Sequence, residues 1–533
     1  MKAPFDTLGV MIDMSRNAVM SIAGLRRFLP LLKKMGYNTV FLYTEDTYEV
    51  DGHPYFGYMR GRYSKAEMKE IDALARDLGI TVIPCIQTLA HLNAAFRWEQ
   101  APCDCNDILL TDDERTYELI DSMFATLSEC FASRRIHIGM DEAHMLGRGQ
   151  HLDLHGFEAA SSIMKRHLAR ICEIAEKYGY EVMLWSDMYF RTWNNGGYFI
   201  PKCEVPKDVV ASVPKSVIPV YWDYYATEEV CYSDMIENHK QLSDKTWFAG
   251  GAWSWCGMIP YNRHTLKTMI PALDACKKQG IRNIFFTMWG DDGGECSHFS
   301  QLPSLFYLAE YAKGNRDEAD IKARFKRFSG IDFDAFMEID CPNDVVEYMS
   351  NPSKFMLYAD YFNDYLDTMV VPGAGKRYED FAKRLSATAA KSRRYGYVFD
   401  AAAKLCDVLA IKYELGLRTR NAYEAGDKAE LLQLAKNDDV TVAKRIRSFA
   451  RAFEKQWFLD NKPHGFDVQD HRIGALLQRT DACRRRILDY VSGKIDRIEE
   501  LDEQLLPYFS EILNRAPLFA TANLIHFGSV PRR

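Results

Sequence analysis

Over roughly its first 300 residues the chain alternates short apolar runs, rich in β-branched and aromatic residues, with amphipathic stretches of helical period. No other feature restricts the fold as much. The runs Leu8–Asp13, Asn38–Thr44, Thr81–Gln87, Ile136–Glu142, Glu181–Asp187, Ile218–Tyr225, Thr246–Trp253 and Ile281–Trp289 read as strands. Helical spacing falls between them at Leu25–Met35, Lys65–Leu78, Asp113–Phe131, Gly156–Tyr178 and His264–Gln279. Parallel strands need crossovers of this length, and eight such units match the size of a (β/α)8 barrel, the α/β class of fold expected here. A doubly wound sheet is the alternative, but no Gly-x-Gly-x-x-Gly follows the first strand.

After Lys313 strand-like runs give way to long charged amphipathic stretches, Ala401–Leu417, Ala429–Phe453 and Ile473–Leu506. We therefore expect a catalytic (β/α)8 barrel over 1–313 and an all-α C-terminal domain over 314–533. The basic clusters Arg445-Ile-Arg447 and Arg484–Arg486 read as solvated helix faces.

A net charge of −7 gives no reason to expect nucleic acid or an anionic membrane surface as partner. No run approaches the roughly 18 apolar residues of a membrane span, and Asp6, Asp13 and Arg16 interrupt any secretory signal. The 13 cysteines are odd in number, with Cys103 and Cys105 the only close pair and no Cys-x-x-Cys. They read as reduced thiols of a cytoplasmic protein rather than a zinc site. Nine Trp within 13% aromatic content are costly to scatter on a surface, so they belong to the core or to a site for something flat and partly apolar.

In a barrel the C-terminal strand ends converge on one rim, where polar residues are candidates for chemistry. The tips carry Asp13 and Arg16; Glu45 and Asp46; Gln87 with His91; Asp141, Glu142 and His144; Trp185 and Asp187; Trp222, Asp223 and Tyr224; Trp253; and Trp289, Asp291, Asp292 and Glu295. No lysine stands among them, which weighs against Schiff-base chemistry. His91, His137, Asp141, Glu142 and His144 could ligate a metal, but no second His or Cys cluster supports one, so neither a metal nor a cofactor is expected. Adjacent acids are poorly placed to flank a sugar as a nucleophile and acid pair. They suit a mechanism in which one is the general acid and the other orients a group of the substrate. The alternative is a pair that caps the next helix.

Ile136-His-Ile-Gly-Met-Asp-Glu142 resembles the His-x-Gly-Gly-Asp-Glu signature of the glycoside hydrolase family 20 β-N-acetylhexosaminidases. Asp13-Met-Ser-Arg16 is similar to that family's first-strand Asp-x-Ser-Arg, and Ala90-His91 to its Gly-His after the third strand. Trp185 and Trp222 resemble its fifth- and sixth-strand Trp, and Met288-Trp-Gly-Asp291 its Trp-Gly-Glu after the eighth. The early first strand and the helical C-terminal part look most like the intracellular, hexosaminidase D-like branch. Three positions depart: Met140 replaces the second Gly, Asp291 replaces Glu, and Trp253-Ser254 stands where many members have Trp-Tyr.

The resemblance implies a retaining exo-β-N-acetylhexosaminidase in which the substrate's 2-acetamido oxygen is the nucleophile. Glu142 would be general acid and then base, and Asp141 would accept the acetamido N–H. The family's tyrosine on the acetamido oxygen would be Tyr224, which shares a strand face with Trp222, or else Tyr225. Trp185, Trp222, Trp289 and Trp253 would wall the sugar, and Arg16 and Asp291 would take its hydroxyls, with His91 nearby. Partners would be β-N-acetylhexosaminide glycans, and the helical domain is a candidate surface for a homodimer. A sugar-binding barrel without turnover, or less favoured a metal-dependent hydrolase, are the alternatives.

Overall fold

The computed structural model describes residues 4–98, 101–255, 257–291, 293–345, 352–364 and 366–506. Residues 507–533 of the expected helical domain, and Asp292 of the eighth tip, lie outside the described residues. Eight parallel strands close into a barrel: β1 Thr7–Asp13, β2 Thr39–Tyr43, β3 Thr81–Cys85, β4 Arg135–His137, β5 Glu181–Trp185, β6 Ile218–Trp222, β7 Trp247–Gly251 and β8 Asn283–Met288. Each pairs with the next in the chain and β1 pairs with β8, which places Met11 beside Thr287 and Ile12 beside Met288. Closure leaves no sheet edge, and inward side chains fill the lumen. Phe41 stacks on Phe285 at 4.2 Å and meets Trp247 edge-on at 6.2 Å, while Trp185 lies 6.0 Å from Phe285.

Helices cover the outside, and local chemistry sets their limits. Ser64 and Glu67 form a capping box at the start of Lys65–Asp77. Ser21 caps Ile22–Met35, which ends at Gly36 with φ 100°, a conformation glycine adopts without steric strain. Most strands run shorter than the apolar pattern suggests, because the chain turns out of the sheet to form the rim. The clearest case is β4, which ends at His137 rather than continuing through Glu142.

Beyond the helix Leu302–Ala312 the described chain is helical, with long helices at Ala374–Lys391, Gly396–Glu424, Asp439–Asp460 and Phe466–Ser492. The apolar core is continuous from the barrel into these helices. No described helix is long and apolar enough to cross a membrane. The twelve described cysteines are free thiols. The basic clusters are paired: Arg445 donates to the Asp407 carbonyl, Arg484 to that of Ala435, and Arg486 to Glu499 and Glu500.

Candidate active site

The strand C-termini open onto a pocket of about 100 Å3 lined by Arg16, Tyr43, His91, Asp141, Glu142, Trp185, Trp222, Tyr224, Tyr225, Trp255, Trp289 and Asp291. A larger recess of about 650 Å3 lies at the opposite end of the barrel, against Asn38, Arg134, Arg135 and Glu181. The smaller one is the candidate, since it combines acids, cations and aromatic rings at the end where barrels carry chemistry.

Asp141 and Glu142 stand on a loop, not on a strand. The backbone after His137 still pairs on both sides, with Thr88 N–H donating to the Ile138 carbonyl and Trp185 N–H to the Gly139 carbonyl, each at 3.1 Å. Gly139, Met140 and Glu142 then take φ values of 72°, 71° and 50°, turning the chain across the barrel mouth. Left-handed backbone is unfavourable for Met and Glu, so surrounding bonds must hold it. Gln87 supplies one set: its Oε1 accepts the Met140 N–H at 3.1 Å, and its Nε2 donates to Asp141 Oδ1 at 2.8 Å. Asp187 supplies another, its Oδ2 accepting the Glu142 N–H at 3.1 Å and Arg191 Nε at 2.8 Å. The loop also separates the two acids by environment. The Asp141 side chain is 12% exposed, whereas that of Glu142 is 40% exposed.

His91 Nε2 lies 3.3 Å from Asp141 Oδ2 and 3.9 Å from Glu142 Oε2. Burial opposes a charged imidazole, but the Asp141 carboxylate outweighs it and pushes the His91 pKa up to about 9. Burial likewise opposes ionisation of Asp141, yet His91 and the Gln87 amide hold it below its ordinary value. Asp187 behaves oppositely: burial, then the neighbouring Asp141 charge, push it up to about 7 against the pull of Arg191. Arg191 Nη2 also reaches within 3.5 Å of Glu142 Oε1.

A polar chain crosses the pocket floor from Arg16. Arg16 Nη2 lies 3.1 Å from Glu45 Oε1, the Tyr43 hydroxyl donates to the same oxygen at 3.0 Å, and Gln87 Nε2 donates to the Tyr43 oxygen at 2.9 Å. Arg16 and Asp141 therefore share one framework although they sit on the loops after different strands, β1 and β4.

The aromatic walls come from four strand tips. Trp222 stacks on Tyr224 at 5.3 Å, Trp289 meets Tyr43 edge-on at 4.8 Å, and Trp185 lies 5.9 Å from Trp289. Trp289 Nε1 donates to the Tyr224 hydroxyl at 3.0 Å, and Tyr225 stands at the rim, 44% exposed. Trp253 does not reach the pocket. β7 ends at Gly251, after which the chain turns, so Trp253 is buried behind the wall, donating to the Tyr224 carbonyl at 3.0 Å. Trp255, stacked on it at 4.4 Å, takes the lining position. The other sequence-derived candidates, Arg16, His91, Asp141, Glu142, Trp185, Trp222, Tyr224, Trp289 and Asp291, meet at the pocket.

Sequence reasoning missed Tyr43, Trp255 and Arg191. Tyr43 carried a usable signal, two residues from the lumen residue Phe41 and hence on the same strand face. Arg191 ends the short helix Asp187–Arg191, four residues after Asp187 and so on its face, whereas Trp255 follows a turn and carried no signal.

His91, Asp141 and Glu142 also offer three ligand atoms within 4.8 Å of one another. Two of the three are also engaged within the protein, His91 Nε2 with Asp141 Oδ2 at 3.3 Å and Asp141 Oδ1 with Gln87 Nε2 at 2.8 Å.

The family described as Glycosyl hydrolase family 20, catalytic domain, matches residues 8–202, and that described as Glycoside Hydrolase 20C C-terminal domain matches residues 331–515. Hexosaminidase D of Bos taurus is 23% identical over 345 residues, covering 59% of this chain and 95% of that protein. Hexosaminidase D of Homo sapiens is 24% identical over 362 residues, covering 62% of this chain and 70% of that protein. Among solved structures, an exo-β-N-acetylglucosaminidase of Vibrio harveyi in complex with N-acetylglucosamine is 16% identical, with a TM-score of 0.47. It aligns with 61% of this chain, which spans 57% of that one.

Proposed function

This chain is a glycoside hydrolase of family 20, and on that premise we propose that it is a retaining exo-β-N-acetylhexosaminidase that removes terminal β-linked GlcNAc or GalNAc by substrate-assisted catalysis. The observation that carries the reading is the unequal treatment of the two neighbouring acids. Asp141 is buried and held ionised by His91 and Gln87, whereas Glu142 reaches toward solvent from the same loop.

Each group then has one task. The Asp141 carboxylate accepts the acetamido N–H and stabilises the positive charge that grows as the carbonyl oxygen attacks the anomeric carbon. Tyr224 donates to that oxygen, fixing it for attack. Glu142 protonates the departing glycosidic oxygen; after the aglycone leaves, its carboxylate takes a proton from the water that opens the oxazolinium. Trp185, Trp222 and Trp289 cover the acetamido methyl and the apolar sugar face, which keeps bulk water from the intermediate. Arg16 and Asp291 hold sugar hydroxyls through charge-assisted bonds.

Release of the chromophore from an aryl β-GlcNAc glycoside by purified protein tests the enzyme reading; no release above background would favour a sugar-binding barrel without turnover. Substrates with a progressively fluorinated acetyl group test the mechanism. Fluorine weakens the carbonyl as a nucleophile, so kcat/KM should fall steeply with each replacement, and a flat series would overturn substrate assistance. The His91, Asp141 and Glu142 trio motivates a metal-dependent hydrolase as the second reading. It requires activity to disappear on treatment with a chelator, where our mechanism requires no change.

The reduced cysteines support a cytoplasmic setting. We draw the domain boundary at Lys313/Gly314, where the barrel's last helix ends. Homodimerisation through the helical domain belongs to the same reading and is tested by mass measurement in solution.

A further inference from the structure

Both residues proposed to hold sugar hydroxyls stand on loops that rest against the helical domain. The loop after β8 carries Asp291. It is pinned on its inner side by Gly290 N–H donating to Asp13 Oδ2 at 2.9 Å, and doubled back by Gly294 N–H donating to the Gly290 carbonyl at 2.7 Å. Its outer side lies directly on the helix Phe466–Ser492. A Cβ on Gly293, where φ is 135°, would stand 2.9 Å from Gln469 Nε2 and 3.2 Å from Arg472 Nη1, so the loop backbone and the helix's side chains approach closely here.

Two residues further on, Glu295 is anchored from the same domain. Its Oε1 lies 2.8 Å from Arg472 Nη1 and its Oε2 2.7 Å from Lys354 Nζ, and all three side chains are 1% exposed. Charges so enclosed cannot part without leaving one of them unpaired in a dry setting, so the cluster is a stiff anchor. Ser297 adds a second tether, donating to Asp460 Oδ2 at 2.5 Å.

The loop after β1, which carries Arg16, is held by backbone pairing with the segment between the last two long helices. Ser21 N–H donates to the Asp460 carbonyl at 3.0 Å, Lys462 N–H donates to the Val19 carbonyl at 2.7 Å, and Met20 pairs antiparallel with Asn461. A Cβ on Gly465 would stand 2.4 Å from the carbonyl oxygen of Asn17, next to Arg16.

We propose that the helical domain is a working part of the sugar-binding site, with Arg472 a positioning residue that holds Asp291 at the pocket through Glu295 and the Gly290–Gly294 turn. This rests on the role proposed above for Asp291. A barrel whose rim is completed by its own loops alone would let the two domains be optimised separately. Here the electrostatic anchor for one sugar contact is supplied by the other domain.

The test is a double-mutant cycle on the full chain with an aryl β-GlcNAc glycoside. Arg472→Met should raise KM about tenfold with kcat changed less than about twofold, because it frees the loop without touching the reacting atoms. Asp291→Ala should raise KM as well, and adding Arg472→Met to it should raise KM no further, since the residue being positioned is gone. Arg472→Lys, which keeps the charge, should recover most of the loss, and Arg472→Gln, which removes the charge but stays polar, replaces Arg472→Met in the cycle if circular dichroism shows the Met variant unfolded. Asp291→Ala effective with the charge-removing Arg472 variant silent, or the two effects multiplying in full, overturns the positioning role alone. Asp291→Ala silent overturns the hydroxyl role of Asp291 and this proposal with it.

Discussion

The indole N–H of Trp289 donates to the hydroxyl oxygen of Tyr224 across 3.0 Å, joining the tip of β8 to the tip of β6. With that oxygen accepting from the indole, the phenol proton is available for an acceptor in the pocket, and burial raises the Tyr224 pKa well above its ordinary value, so the phenol stays a neutral donor across the working pH range. Tyr224→Phe should therefore lower kcat/KM by about 10- to 100-fold, the loss expected when a donor to a charge-developing oxygen is removed, with no change in the shape of the pH profile. Tyr225→Phe, at the exposed rim, should stay within about threefold of native. The reverse ranking would give the acetamido oxygen to Tyr225.

The two neighbouring acids should separate on leaving-group reactivity. Glu142→Gln removes proton donation, so it should cost about 10² to 10⁴ in kcat on glycosides with poor leaving groups and much less in the first step on activated aryl glycosides. Asp141→Asn removes the carboxylate proposed to oppose the developing positive charge, so it should lose about 10² or more on both classes. Steady-state rates on a leaving-group series decide; near-native turnover by Asp141→Asn would sink the orienting role.

His91 sets the protonation state of Asp141, and the direction of the effect follows from burial. Without the imidazolium, desolvation is opposed mainly by Gln87, so the Asp141 pKa rises. The proposed mechanism needs Asp141 ionised. His91→Gln should therefore move the acid limb of the kcat/KM profile to higher pH. In the native protein His91 remains charged up to its pKa of about 9, so the ion pair's contribution to stability is complete below the ordinary histidine value and fades as pH rises through about 9. A variant profile that overlays the native one would show that His91 has no hold on Asp141.

Much of this was readable from the chain because two periodicities coincide. Strand runs and helical stretches define the barrel, and in a barrel the polar end of each strand has only one rim to occupy, which is why Arg16, Asp141, Trp222 and Trp289 could be brought together from residues hundreds of positions apart. The pattern fails where the chain leaves the sheet. Trp253 lies two residues past the last sheet residue of β7, beyond the reach of alternation, and a turn hands its expected place to Trp255. Met140 shows a different limit: its φ of 71° is one that glycine tolerates easily, yet the position carries a buried Met, so composition alone hides a turn that Gln87 enforces from another strand.

Asp187 makes a last, separable prediction about stability. Its folded pKa, raised to about 7, lies above the ordinary aspartate value of about 3.9, so the folded state binds more protons between those limits and loses stability as pH rises through the interval. Asparagine at this position can still accept from the Glu142 N–H and Arg191 but carries no charge to desolvate. The thermal midpoint of Asp187→Asn, relative to native, should accordingly be near zero or slightly negative at pH 5 and move upward by about 2 °C or more at pH 8, for a difference on the order of 1 kcal/mol or more. If the relative midpoint falls with rising pH instead, the ion pair with Arg191 outweighs burial, and Asp187 anchors the acid loop as a carboxylate rather than as a neutral acid.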